Sequence, residues 1–308
     1  MANMAEATLK PVPRRKIRRT TGDVIFDIIL YIITGLMILV TLYPMYFIVI
    51  ASISSPTEVA AGNITFFPMG FSLKGYKELF SYTQLWTGYG NTILYAFFGT
   101  VFSLVVNIPA AYSLSRRDLV GRRFFTIFFL VPMFFTGGLI PTYMTIQNFG
   151  LVDTRLVMVL PFAVVTYYII VARTFFTNSL PDGLWEAAQI DGCGNLRFFF
   201  QMVLPLSKAV IAVIALWTAV GQWNSYFNAL IYLRSADLLP LQIILRNILI
   251  NNQTISSMST GSAAAEATQV AELIKYSIIV VSSAPIMCLY PFVQKYFNQG
   301  VMIGALKG

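Results

Sequence analysis

The sequence predicts an all-α, polytopic membrane protein with six transmembrane helices. Three observations carry that reading. Hydrophobic residues make up 57% of the 308 and charged residues 11%, with a mean hydropathy of +0.71, whereas an ordinary soluble domain is about 25% charged. Apolar runs long enough to cross a bilayer, about 20 residues each, recur along the whole chain rather than forming one anchor. Lys and Arg sit in short blocks between those runs, as they do when they orient a protein in a membrane. The net charge of +8 is therefore not a nucleic-acid footprint.

A basic cytoplasmic segment, 1–24, opens the chain with Arg14, Arg15, Lys16, Arg18 and Arg19. The transmembrane domain, 25–293, has spans expected at about 25–51, 90–114, 124–147, 156–176, 207–232 and 271–293, and a tail, 294–308, follows. The first span is too long for a signal peptide and lacks a clear cleavage site, so it is read as an uncleaved helix. Arg116, Arg117, Arg122, Arg123, Arg173, Arg197, Lys208, Lys295 and Lys307 fall on the side of the N-terminal block. Only Lys74, Lys77, Arg155, Arg234 and Arg246 fall opposite. Positive residues favour the inside, which places both termini in the cytoplasm and the connections 52–89 and 233–270 outside. Pro44, Pro109, Pro132, Gly137, Gly138, Pro141 and Pro285 kink helices and free carbonyls that need a neighbouring helix or a wet cavity. Membrane helices also tolerate such residues singly, so the cluster from Pro132 to Pro141 is the more suggestive feature.

Several chemistries are disfavoured. The chain has no His, and its two cysteines, Cys193 and Cys288, have no disulfide or zinc spacing, so neither a metal centre nor a general base of the usual kind is expected. No G-x-x-x-x-G-K-[ST] phosphate loop occurs, so any ATP is hydrolysed elsewhere. Ionisable residues within the spans are nearly absent, with Glu272 and Lys275 near one end of the sixth, which leaves a proton relay without its usual machinery.

The inside loop 177–206 is longer than a helix connection needs. Leu184–Ile190 favours a short helix with Asp182 near its start, and Asp191-Gly192 suits a left-handed turn at its end. Ala187 and Ala188 give it a small surface, and Glu186 offers a charge to a basic partner. Leu196–Leu204, with Arg197, reads as a helix at the inner interface, and Pro205 as the start of the fifth span. A simple amphipathic connector is the alternative reading. In the fifth span Trp217, Gly221, Asn224 and Asn228 share a helical spacing, with Gln222, Trp223, Tyr226 and Phe227 beside them. Amides and aromatic faces suit sugars, so Trp217, Gln222, Trp223, Asn224 and Asn228, with Asn107 of the second span, are candidates to line a pathway. Interhelical packing explains the same residues equally well. Asn251-Asn252-Gln253-Thr254 read as part of a mobile external loop or a solvated linker.

Glu186-Ala187-Ala188, with Gly192 four residues after the second Ala and Leu204-Pro205 twelve beyond that Gly, resemble the EAA loop of ABC-importer permeases. Met202 stands where that family usually has Ile, and Cys193 where it often has Ala. Gln294-Lys295-Tyr296-Phe297, Gly300 and Gly304-Ala305-Leu306-Lys307-Gly308, together with Trp223-Asn224 and the stretch Ala110-Ala111-Tyr112 to Arg116, resemble the carbohydrate-uptake branch. Most of the chain is similar to the smaller permease of maltose-type systems, and the basic extension and Pro-Gly-rich third span to the LplC/YtcP-like group.

The resemblance implies a type I ABC importer permease fold in a bacterial cell membrane. It makes Glu186, Ala187, Ala188, Asp191, Gly192, Leu204 and Pro205 the coupling contact with an ATPase. It also implies a second homologous permease, two cytoplasmic ATPase subunits that hold ATP and Mg, an extracytoplasmic sugar-binding protein, lipid around the spans, and no cofactor in this chain. The larger partner permease is expected to carry more of the sugar site, and Asn251 to Thr254 to reach the binding protein. The expected cargo is a sugar, an oligosaccharide or glycan fragment. An importer for another solute, an ATP-independent secondary carrier or a membrane enzyme are the competing readings.

Overall fold

The computed structural model describes residues 20–258 and 262–305. The basic block Arg14–Arg19 and residues 306–308 lie outside the described residues, as do the side chains of the tail motif Gln294–Phe297. The chain divides into a first unit that ends at Ile48 and a second that begins at Val49. Helix α1, Thr21–Ser52, begins four residues before the expected span because a reciprocal cap sets its start. The Thr20 amide donates to Asp23 Oδ2 at 2.8 Å, and the Asp23 amide donates to Thr20 Oγ1 at 3.3 Å.

The second unit is helical with no strand among its described residues. Short helices α2, Pro56–Ala60, and α3, Lys74–Ser81, precede α4, Thr83–Ser115. Then come α5, Arg122–Phe134; α6, Leu139–Asn148; a 3-10 turn, Arg155–Met158; and α7, Thr166–Ser179. The connection 177–206 forms α8, Asp182–Ile190, and α9, Asn195–Phe198, followed by a π-helical turn, Phe199–Val203, and α10, Leu204–Leu206. The rest is α11, Lys208–Trp223; α12, Tyr226–Tyr232; α13, Leu241–Met258; and α14, Ser262–Ala305.

Helix α4 is the spine: α11, α7 and α13 pack along it, while α14 packs on α13, α11, α3 and α2. At its N-terminal end Gly88 lets α13 come close, since a Cβ there would lie 2.6 Å from Ile244 Cδ1 and 3.1 Å from the Leu241 Cα. Small residues at such crossings replace the hydrophobic drive that lipid removes. Around its C-terminal end Ile108, Ala111, Phe176, Val203 and Ile214 form a core with Ala188.

Three helical stretches are long and apolar enough to span a membrane, Thr21–Ser52, Thr83–Ser115 and Thr268–Leu289. Two bent pairs, Arg122–Phe134 with Leu139–Asn148 and Asn195–Leu206 with Lys208–Trp223, turn by 116° and 79° and raise the number to as many as five. The six expected spans are thus not all confirmed, and three of them are interrupted. The third breaks over 135–138, where Gly138 has φ +81° and ψ 177°, a conformation essentially confined to glycine. The fourth is α-helical only from Thr166: a 3-10 turn covers Arg155–Met158, and an irregular stretch containing Pro161, which disfavours helix at Leu160, lies between. The fifth ends at Trp223 and restarts at Tyr226, and it begins at Lys208, after a break at Ser207, rather than at Pro205. The segment 233–270, expected as an external loop, is not a loop throughout: α13 occupies Leu241–Met258 and α14 starts at Ser262.

Candidate functional site

The motif residues from Glu186 to Gly192 build one small element, α8 with its terminal turn. Gly192 has φ +69°, and its amide donates to Gln189 O at 3.0 Å while the Cys193 amide donates to Ala188 O at 2.8 Å. That pair of bonds is a Schellman cap. It explains the spacing from Ala188 to Gly192: one is the last-turn residue whose carbonyl is capped, the other the left-handed residue that permits the cap. The two ends of the motif also meet as packing, since Ala188 is buried and Cys193 lies against the same core. Ala188 is thus a correction to the expected outward small face: it packs inward with Phe176, Phe198 and Phe199. Glu186, Ala187, Asp191 and Gly192 are exposed. Ile190 is 87% exposed, an apolar knob beside them that sequence reasoning missed. Leu204 is half-buried and Pro205 exposed, both beyond the π-helical turn.

A cleft of about 640 Å³ separates α8 from the end of α4, with Tyr112, Arg116, Asp118, Asn178, Trp185 and Glu186 among its lining residues. The Arg116 guanidinium donates to both Asp118 carboxylate oxygens, at 2.9 and 2.6 Å, and lies 4.2 Å from the centre of the Trp185 ring. The hydrogen bonds from Arg116 hold the Asp118 carboxyl below its usual range. Trp185 in turn meets Phe198 edge-on at 5.0 Å. Sequence reasoning used Arg116 as an orienting charge and as the end of a family-like stretch, and no local spacing links it to Trp185, which is far along the chain.

The pathway candidates are not gathered in one place. Asn107 is fully buried and its amide donates to Ser103 O at 2.7 Å, Ser103 Oγ at 2.9 Å and Ala163 O at 2.7 Å. Its Oδ1 accepts from the Val165 amide at 3.0 Å. Gln222 donates to Met158 O at 3.1 Å. Both residues therefore satisfy the irregular backbone over 158–165, which hydrocarbon does not tolerate bare. Trp223 is buried, donating to Ser282 O at 3.0 Å, and Asn224 caps its own helix through Val220 O at 3.0 Å. Each of these four donates a hydrogen bond to backbone carbonyls, which fits the packing reading given beside the pathway one. Trp217, half-buried, stacks on Tyr168 at 5.8 Å, and Asn228 is half-buried.

Asn251, Gln253 and Thr254 are exposed on α13, with Asn252 half-buried and donating to Ile248 O at 2.8 Å. These residues are helical, part of α13, where a loop or linker was expected. The base of α13 is pinned by Asp153, whose carboxylate accepts from the Arg234 and Ser235 amides at 2.7 and 2.8 Å and from Ser235 Oγ at 2.6 Å.

The family described as "Binding-protein-dependent transport system inner membrane component" matches residues 99–303. The chain is 35% identical over 288 residues to the polygalacturonan/rhamnogalacturonan transport system permease protein YtcP of Bacillus subtilis (strain 168), covering 92% of this chain and 99% of that one. It is likewise 35% identical over 289 residues to Protein LplC of the same organism, covering 94% and 97%. The arabinooligosaccharides transport system permease protein AraQ of Halalkalibacterium halodurans is 29% identical, covering 87% and 92%. Among solved structures, a chain of a bacterial ABC transporter involved in the import of the acidic polysaccharide alginate superposes with a TM-score of 0.82 at 33% identity, covering 91% of this chain and 99% of that one.

Proposed function

We propose that this chain, which belongs to the binding-protein-dependent transport system inner membrane component family, forms half of the membrane pathway of an ATP-driven oligosaccharide importer. It is a transport subunit of the membrane, not an enzyme. The observation that carries the coupling role is the capped α8, which presents Glu186, Ala187 and Ile190 outward on a base anchored in the core. A short rigid helix with a small, partly apolar surface is gripped with little desolvation of polar groups, and it passes a push on without unwinding. The relatives named for polygalacturonan, arabinooligosaccharides and alginate support the cargo class.

In this reading the six spans are completed by the irregular fourth and the two bent helix pairs. Residues 1–24 and 294–308 and the loop 177–206 lie in the cytoplasm, and 233–270 lies outside. The partners are a second homologous permease, two ATPase subunits carrying ATP and Mg, and an extracytoplasmic binding protein that meets Asn251–Thr254 on α13. Trp217 and Asn228 remain the pathway candidates of this chain.

Affinity purification of the full chain from its native membrane tests the assembly. A cytoplasmic ATPase and a second permease are expected to co-elute, and the binding protein loaded with oligosaccharide is expected to stimulate ATP hydrolysis. Asn251→Arg with Gln253→Arg is expected to cut that stimulation severalfold while leaving co-elution unchanged. Uptake by the chain without any ATPase would remove the reading.

A further inference from the structure

We propose that Arg116 is the positioning residue that ties α8 to α4, so that force applied to α8 is delivered to α4. The proposal rests on the reading of α8 as the ATPase-docking helix. Helix α4 ends at Ser115, and Arg116 leaves it in extended conformation, φ −67° and ψ 135°. That carries the guanidinium across the cleft to the Trp185 ring, 4.2 Å away, one residue before Glu186. Asp118 grips the same guanidinium through two hydrogen bonds, at 2.9 and 2.6 Å. A planar fork held on both donors cannot swing off the ring, whereas a flexible ammonium can. The Arg116 side chain is well covered, 17% exposed, so the cation–ring attraction is less weakened by water than at an open surface.

The position of Arg116 matters because of what α4 holds at its other end. Asn91 donates to Asp237 O at 2.7 Å and to Leu239 O at 3.1 Å, and Tyr95 donates to Leu238 O at 2.8 Å. The Leu241 amide, the first residue of α13, donates to Thr92 Oγ1 at 2.8 Å. A 33-residue helix, about 50 Å long at 1.5 Å per residue, thus joins α8 to the base of α13. Movement of α8 is passed along this rod only while its near end stays attached. The core contacts of Ala188 and Phe198 seat α8 on α4, α7 and the π-helical turn together, and Arg116 adds to that apolar seat the polar tie between α8 and the end of α4.

The test uses the purified complex, ATPase included, in lipid nanodiscs and proteoliposomes, comparing wild type with Arg116→Gln, Arg116→Lys, Trp185→Phe and Trp185→Leu. Basal ATP hydrolysis, its stimulation by the loaded binding protein, and sugar taken up per ATP are read on complexes that contain the ATPase. Arg116→Gln and Trp185→Leu are expected to lower uptake per ATP and binding-protein stimulation about fivefold or more, the lower end of typical site-to-site coupling. Arg116→Lys and Trp185→Phe, which keep a cation or a ring, are expected to fall between these and wild type. A merely structural role predicts fewer assembled complexes with an unchanged ratio, and a wild-type ratio in the assembled variants overturns the proposal. If Arg116→Gln does not assemble, a wild-type ratio in both Arg116→Lys and Trp185→Leu overturns it equally. Absence of an ATPase from the wild-type complex is a different result, which defeats the docking role of α8 itself.

Discussion

Gly192→Pro is expected to leave the chain in its membrane complex and to abolish ATP-driven uptake. Gly192 holds φ +69°, whereas proline is fixed near −65°, so the substitution cannot keep the turn. It also deletes the amide that donates to Gln189 O at 3.0 Å and disrupts the neighbouring bond from the Cys193 amide to Ala188 O. The cost is about 3 kcal/mol or more, concentrated at the end of α8. Because the long helices do not depend on that turn, abundance of the complex is expected to hold while α8 loses its fixed orientation. Gly192→Ala separates strain from bulk: no atom lies within 4 Å of the added Cβ, leaving only a left-handed penalty of about 1–2 kcal/mol and a partial defect. Glu186→Lys, at an exposed site, is expected to impair uptake with no folding cost. Membrane abundance by immunoblot, ATP hydrolysis and uptake, measured together, check the set. Full uptake by Gly192→Pro and Glu186→Lys would separate α8 from coupling.

Asn107→Leu is expected to produce the largest loss of stability of any single polar substitution in the bundle. The change keeps roughly the same volume but removes the donors to Ser103 O and Ala163 O and the acceptor of the Val165 amide. Ser103 O keeps its place in a helix, but Ala163 O and Val165 N sit in the irregular stretch before α7 with nothing to replace the amide. Leaving a buried polar group unpaired costs about 1–3 kcal/mol, so the pair costs about 2–6 kcal/mol. For a chain of this size, at about 2.1 cal/mol/K of unfolding entropy per residue, that lowers a thermal midpoint by about 3–9 °C, measurable on the purified complex in one detergent. A residue that merely lined the pathway would alter uptake and leave the midpoint near wild type.

Asn107 also shows where sequence reading ends. A polar residue beside Pro109 within an apolar run signals a burden in the membrane, but its partner, the irregular backbone at 163–165, lies 56 residues away. The same holds for Arg116 and Trp185, whose contact exists only because α7 brings α8 back beneath α4. By contrast, α8 was legible almost to the residue, from Leu184–Ile190 expected to Asp182–Ile190 observed, since its cap depends on near neighbours. The left-handed Gly192 was legible for that reason too. Span ends were read less well. Hydropathy counts apolar residues but does not register that Gly137-Gly138 break a helix outright, or that Leu241–Met258 is helical beyond the segment apolar enough to span. The inward turn of Ala188 required the core it joins, which draws on α4, α7 and the π-helical turn at once.

The central claim is that α8 meets the ATPase on one side of the membrane while α13 meets the binding protein on the other. Site-specific photo-cross-linking within the purified complex tests both halves together, with the reactive residue placed at Ala187 or at Asn251, both exposed. The expected result is an adduct with the ATP-binding subunit from position 187 and with the binding protein from position 251, and neither cross-link from the other position. An ATP-hydrolysing complex that gives no ATPase adduct from 187, or gives one from 251, would contradict it.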